Sequence, residues 1–111
     1  MRRYAPAFTI RPDAVYNVMA GGSLNLTCVA VGSPMPYVKW SAENERLGNP
    51  ARHPIGRNVL ELKNIQRSKN YTCTAQSGLG TIMVTSQVRV QGKMESVFTK
   101  LSIIVIVIND I

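Results

Sequence analysis

The chain has 111 residues, of which 13 are Lys or Arg and 6 are Asp or Glu, so its formal net charge at pH 7 is +7. That length holds one domain and excludes two sizeable ones. A hydrophobic content of 45% is too high for full disorder, and two Cys, one Trp and one His exclude a multi-cysteine metal cluster or a large cofactor fold.

The opening residues, MRRYAPAFTI, are basic, but Pro6 and Arg11 interrupt any apolar stretch, so they do not read as a signal peptide. Helical periodicity is absent. Apolar residues alternate instead, in short runs bounded by Gly, Pro and Asn, as half-buried strands require. Leu24, Leu26, Cys28 and Ala30 share the first inward parity. Gly32, Pro34 and Pro36 then mark a loop, and Val38 and Trp40 form the next inward set. Residues 42–54 are polar and carry Gly48, Pro50 and Pro54, which predicts a loop or weak edge strands. Leu60 and Leu62 alternate with Val59, Glu61 and Lys63, and Ile65 reads as a core plug. Tyr71, Cys73 and Ala75 follow, Gly78 and Gly80 bracket a hairpin turn, and Ile82, Val84, Ser86, Val88 and Val90 close the series. About seven short strands at this spacing predict an all-β sandwich.

Cys28 and Cys73 stand 45 positions apart, far from the CxxC spacing of zinc and thioredoxin sites. Spacing alone leaves open a disulfide, which belongs to an oxidising compartment, or two buried thiols. Trp40 lies twelve residues after Cys28, and Tyr71 two residues before Cys73, all on inward parities. This set resembles the immunoglobulin arrangement: a disulfide linking two packed antiparallel sheets, a Trp against it, and a tyrosine corner. The resemblance implies that Cys28 pairs with Cys73, with Trp40, Tyr71 and Leu62 in the core.

More narrowly, SLNLTCVAVGSPMPYVKW is similar to the B strand, BC loop and C strand of an I-set immunoglobulin domain. With PIGRNVLEL and NYTCTAQSGLG, it resembles the third immunoglobulin domain of LAR-type receptor protein tyrosine phosphatases. The resemblance implies an I-set domain over residues 5–92, an N-terminal flank at 1–4 and a nonstandard apolar tail at 93–111. The run Ile103–Ile108 in that tail is too short for a bilayer, which needs about 20 residues. No membrane insertion by this chain is expected, and the tail reads as an alternative or truncated end. The phrase before the second Cys departs from the family's Asp-Ser-Ala-Asn-Tyr-Thr-Cys at Arg67 and Lys69. Arg67 then faces the expectation of a like charge, Arg57, nearby.

Catalysis is excluded on motif grounds. A tyrosine phosphatase loop needs Cys followed by Arg six positions on, but Pro34 and Leu79 occupy those places. His53, between Arg52 and Pro54, reads as a solvated loop residue, and the carboxylates show no pair spacing. No cofactor and no metal are expected. Asn25-Leu26-Thr27 and Asn70-Tyr71-Thr72 are glycosylation sequons with Asn on outward parity. Arg52, Arg57, Arg67 and Lys69 are expected to gather near one loop region, a candidate contact for heparan sulfate or an acidic protein. Nucleic acid is not expected, because no aromatic residues interleave with the basic ones. The resemblance implies a non-catalytic adhesion and ligand-recognition module in the extracellular part of a single-pass receptor. Its partners would be cell-surface adhesion proteins or neighbouring immunoglobulin domains, met by Met35, Tyr37, Arg52, Arg57, Arg67 and Lys69. The alternative is a structural spacer of the cytosolic muscle type, with both cysteines reduced.

Overall fold

The computed structural model describes residues 2–43, 45–47 and 54–92. Arg52, His53 and the tail from Lys93 onward therefore lie outside the described residues. Eight strands follow in order: β1 (Tyr4–Ile10), β2 (Val15–Met19), β3 (Gly22–Ser33), β4 (Tyr37–Ala42), β5 (Glu45–Arg46), β6 (Arg57–Ile65), β7 (Lys69–Ser77) and β8 (Gly80–Gln91). They form a three-stranded sheet, β1-β3-β6, and a five-stranded sheet, β2-β8-β7-β4-β5.

The alternation seen in the sequence becomes the packing. Leu26, Cys28 and Ala30 of β3 are buried against Val38 and Trp40 of β4, Tyr71, Cys73 and Ala75 of β7, and Val88 of β8. Leu60 and Leu62 are half-buried and pack on the margin of this core. Ile65 is buried at the end of β6, where the carbonyl of Ile65 accepts a hydrogen bond from the Gly21 N–H at 2.7 Å. Cys28 and Cys73 form a disulfide between the two sheets, with Cα atoms 6.7 Å apart. Trp40 is the register partner of Cys73 on the neighbouring strand.

Every named strand pair is antiparallel except β2 with β8, which is parallel. The cause lies in residues 11–14. They carry the chain from the edge of one sheet to the edge of the other without reversing it. Buried Pro12 lacks an N–H for either ladder and marks the break. The two-residue turn Gly78–Leu79 then sets the β7–β8 register, with Ser77 opposite Gly80.

A polar brace joins the sheets on the side of β4 away from β7. Asn58 on β6 donates from Nδ2 to the Val38 carbonyl at 2.9 Å, and its own carbonyl accepts the Trp40 indole N–H at 3.1 Å. Val38 also donates its N–H to the Pro54 carbonyl at 2.8 Å, so both of its buried backbone groups are satisfied.

Candidate recognition surface

One end of the sandwich collects the start of β1, the β3–β4 loop, the start of β4, the segment before β6 and the β7–β8 turn. Tyr4 pairs with Ser33 across β1–β3, Tyr37 bridges to Ile55, and Gly80 packs near Pro6. This end gathers five of the nine exposed large apolar side chains of the described residues: Tyr4, Met35, Tyr37, Ile55 and Leu79, each 40–60% exposed. The frame beneath them is rigid. Gly56 donates to the Pro36 carbonyl at 2.9 Å, and its carbonyl accepts the Ala30 N–H at 2.9 Å. Gly56 has φ of 78°, and a Cβ there would lie 2.8 Å from the Met35 Cε, so a glycine lets the methionine lie over the loop. The loop carries a cis Ser33–Pro34 peptide bond, and Pro36 is buried beneath it.

Among the described residues, charge around this end is of one sign. Arg2 and Arg3 precede β1, and Arg57 opens β6. The acids Asp13, Glu43 and Glu61 lie elsewhere: beyond β1, after β4 and midway along β6. The surface thus offers an apolar centre with a basic margin, the pattern of a protein contact more than of a small-molecule cleft.

Met35 and Tyr37 are therefore joined by Tyr4, Ile55 and Leu79, which sequence reading did not single out. The signal available was an apolar residue beside Pro54 or inside a two-residue turn, where there is no core to enter. Of the basic residues expected to gather, Arg52 lies outside the described residues, and Arg57 does not join Arg67 and Lys69. Arg57 stands at one end of β6, while Arg67 lies past the other end in the β6–β7 connection, with Lys69 opening β7. Eight residue steps along the strand separate Arg57 from Ile65, roughly 26 Å at the usual rise. The same separation removes the anticipated Arg57–Arg67 repulsion.

Asn25 is exposed on the outer face of β3, the middle strand of the three-stranded sheet, opposite Glu61. Asn70 is exposed on β7 of the other sheet, opposite Gln87. The two sequons thus occupy different sheets of the sandwich. Tyr71 is buried, and its phenol is held above the ordinary value of 10.0, by burial first and by the negative charge of Glu43 second. Among the described residues no group of three or more His, Cys, Asp or Glu is placed to hold a metal ion. No helix among them is long and apolar enough to cross a membrane.

Two packed sheets, an inter-sheet disulfide and a Trp beside it define an immunoglobulin-type sandwich, and the profile described as "Immunoglobulin domain" matches residues 5–77. The chain belongs to the immunoglobulin domain family. Within it, the chain is 58% identical over 91 residues to "Receptor-type tyrosine-protein phosphatase F" of Mus musculus, covering 82% of this chain and 5% of that protein. It is 54% identical over 91 residues to "Tyrosine-protein phosphatase Lar" of Drosophila melanogaster, covering 82% of this chain and 4% of that protein. The chain thus spans about 5% of the length of these relatives. It is homologous to their non-catalytic immunoglobulin region. Among solved structures, the N-terminal Ig1-2 module of the Drosophila receptor phosphatase DLAR superposes with a TM-score of 0.65 at 20% identity, over 77% of this chain and 48% of that one. An immunoglobulin domain of the complex of titin M10 with obscurin-like 1 superposes with a TM-score of 0.67 at 25% identity, over 80% of this chain and 95% of that one. The sequence identity to the receptor phosphatases is more than twice that to the domain of the titin M10–obscurin-like 1 complex, which favours the receptor parentage over the spacer reading.

Proposed function

We propose that this chain is a recognition module from the extracellular part of a LAR-type receptor phosphatase, corresponding to the third immunoglobulin domain. Its reading frame is a flank at 1–4, the domain at 5–92 and a separate tail at 93–111. It binds a cell-surface protein, in the setting of adhesion, axon guidance and synapse organisation that the family resemblance implies. The observation that carries this reading is the basic-rimmed apolar end formed by Tyr4, Met35, Tyr37, Ile55 and Leu79. A stapled sandwich holds these side chains on short loops, so little ordering cost accompanies contact. Asn25 and Asn70 are read as glycan sites whose positions leave this end uncovered. Treatment of secreted material with an N-glycosidase is expected to lower its mass, and an unchanged mass would sink the glycan assignment.

The test is binding of the secreted domain, fused to an antibody Fc, to the surface of cultured neurons. The Met35→Ser, Tyr37→Ser, Ile55→Ser triple variant is expected to lose that binding while still unfolding cooperatively as a folded domain, since none of the three side chains belongs to the buried core. Undiminished binding by the variant would overturn the assignment of the surface. The separation of Arg57 from Arg67 and Lys69 argues against one extended polyanion site, so added heparin is expected to leave the binding largely intact.

A further inference from the structure

The five-stranded sheet has an unfinished edge. β2 pairs with β8 only from Gln87 to Gln91. Backbone direction along β8 follows from two observations. Ser77 and Gly80 close a two-residue hairpin, so even-numbered residues of β8 turn their N–H and C=O toward β7. The Gln87 N–H donates to the Ala14 carbonyl at 2.8 Å and the Gln91 carbonyl accepts the Ala20 N–H at 3.3 Å, so odd-numbered residues turn toward the β2 side. Thr81, Met83 and Thr85 therefore aim their N–H and C=O groups at that same side, before β2 begins. Among the described residues no strand pairs with them there.

Such edges are normally blunted by charge, proline or a bulge. The stretch Gly80–Thr85 reads Gly-Thr-Ile-Met-Val-Thr, with none of these. Beside it runs a groove of about 470 Å³ lined by Pro6, Ala7, Phe8 and Arg11 on one wall and Ile82, Met83 and Val84 on the other. Met83 is 67% exposed, and the Arg11 guanidinium carbon lies 5.8 Å from the centre of the Phe8 ring at the mouth of the groove.

We infer that this edge receives an extended segment of a partner protein as an added β-strand, with apolar side chains at alternate positions and a carboxylate placed to meet Arg11. The open backbone groups require a strand, since only a strand presents matching donors and acceptors at this spacing. The alternation follows because every second side chain of the added strand faces the Pro6–Phe8 wall. Acidity follows from Arg11 and from the net charge of +7, which attracts an acidic segment and repels a second copy of this chain. Self-pairing is disfavoured further by size. A five-residue edge is roughly 17 Å long and buries far less than the ~1,200 Å² of a stable dimer.

The experiment follows backbone amides of the isotopically labelled full chain by NMR as the blocked peptide Glu-Val-Thr-Val-Thr-Val is added. Amide shifts and slowed hydrogen exchange are expected at Thr81, Met83 and Thr85, with several-fold weaker binding by the Lys-Val-Thr-Val-Thr-Val peptide. Met83→Pro removes a donor that no β7 bond uses, so it is expected to abolish peptide binding with the fold kept. Should that variant misfold, Arg11→Glu on the exposed groove wall gives a second reading, with the peptide preference inverted. Absence of shifts at these amides with millimolar peptide would overturn the inference. So would equal affinity for both peptides, or protection that grows with protein concentration alone, which would make a second copy the occupant.

Discussion

Removing the Asn58 amide tests how the two sheets are held together. In Asn58→Ala the Val38 carbonyl loses its only side-chain donor among the described residues, a bond of 2.9 Å to a residue that is fully buried. The Trp40 indole bond survives, because it ends on the main-chain carbonyl of residue 58. Leaving a buried acceptor unpaired costs about 1–3 kcal/mol. Asn58 is itself half-buried and lines a surface groove of about 460 Å³ beside Trp40 and Leu60, so a water entering the space its amide leaves can replace the lost donor, and the lower part of that range is expected. A loss of about 1–2 kcal/mol is expected, or roughly 4–16 °C in melting temperature for a domain of this size. Set against a typical total of about 5–15 kcal/mol, that is readily measured by urea denaturation followed through Trp40 fluorescence with the disulfide intact. Asn58→Asp sharpens the test. An ionised carboxylate facing the Val38 carbonyl has no proton to donate, so its folded pKa rises above the unfolded value of about 3.9. The contribution of the protonated acid is then fully present below that unfolded value and is lost as pH rises through the folded one. Asn58→Asp is therefore expected to fall further below the wild type at pH 7 than at pH 4. Stability of Asn58→Ala within about 0.5 kcal/mol of the wild type, together with a pH-independent deficit for Asn58→Asp, would refute the brace.

Three further outcomes follow from the core. The Ser86 hydroxyl is fully buried without a hydrogen-bond partner among the described residues, so Ser86→Ala is expected to stabilise by about 1 kcal/mol in the same assay; a loss would reveal a hidden partner. Tyr71 ionises in the unfolded chain before it does so in the folded one, so its contribution is present below pH 10.0 and declines as pH rises through the raised folded value. Tyr71→Phe is accordingly expected to show a flatter loss of stability above pH 10.0 than the wild type, whatever its offset at neutral pH, and parallel curves would contradict the burial argument. The paired replacement Cys28→Ala, Cys73→Ala opens a loop with a sequence separation of 45 and is expected to cost about 4 kcal/mol by the chain-entropy relation; ready thiol labelling of the unreduced wild type would instead mean that the bridge is absent.

The strand alternation and the inward facing of Trp40 and Tyr71 were legible in the sequence alone, because each rests on local period, and the Cys28–Cys73 pairing followed from the immunoglobulin resemblance those residues carry. A side chain's face is decided by its neighbours two residues away, and β3, β4, β7 and β8 keep that period without interruption. What a residue meets across the sandwich is not encoded at that range. Asn58 looks like an ordinary polar strand residue until β4 of the opposite sheet supplies the Val38 carbonyl. Arg57 and Arg67 look close in sequence, yet an extended strand carries them to opposite ends, whereas Tyr4, Ile55 and Leu79 are distant in sequence and converge because turns return the chain to one end. The parallel pairing of β2 with β8, and the bare edge left before it, depend on where the chain crosses between sheets at residues 11–14. Alternation determined which residues are inside; only the closing of two sheets over one another decided which outside residues stand together as a surface.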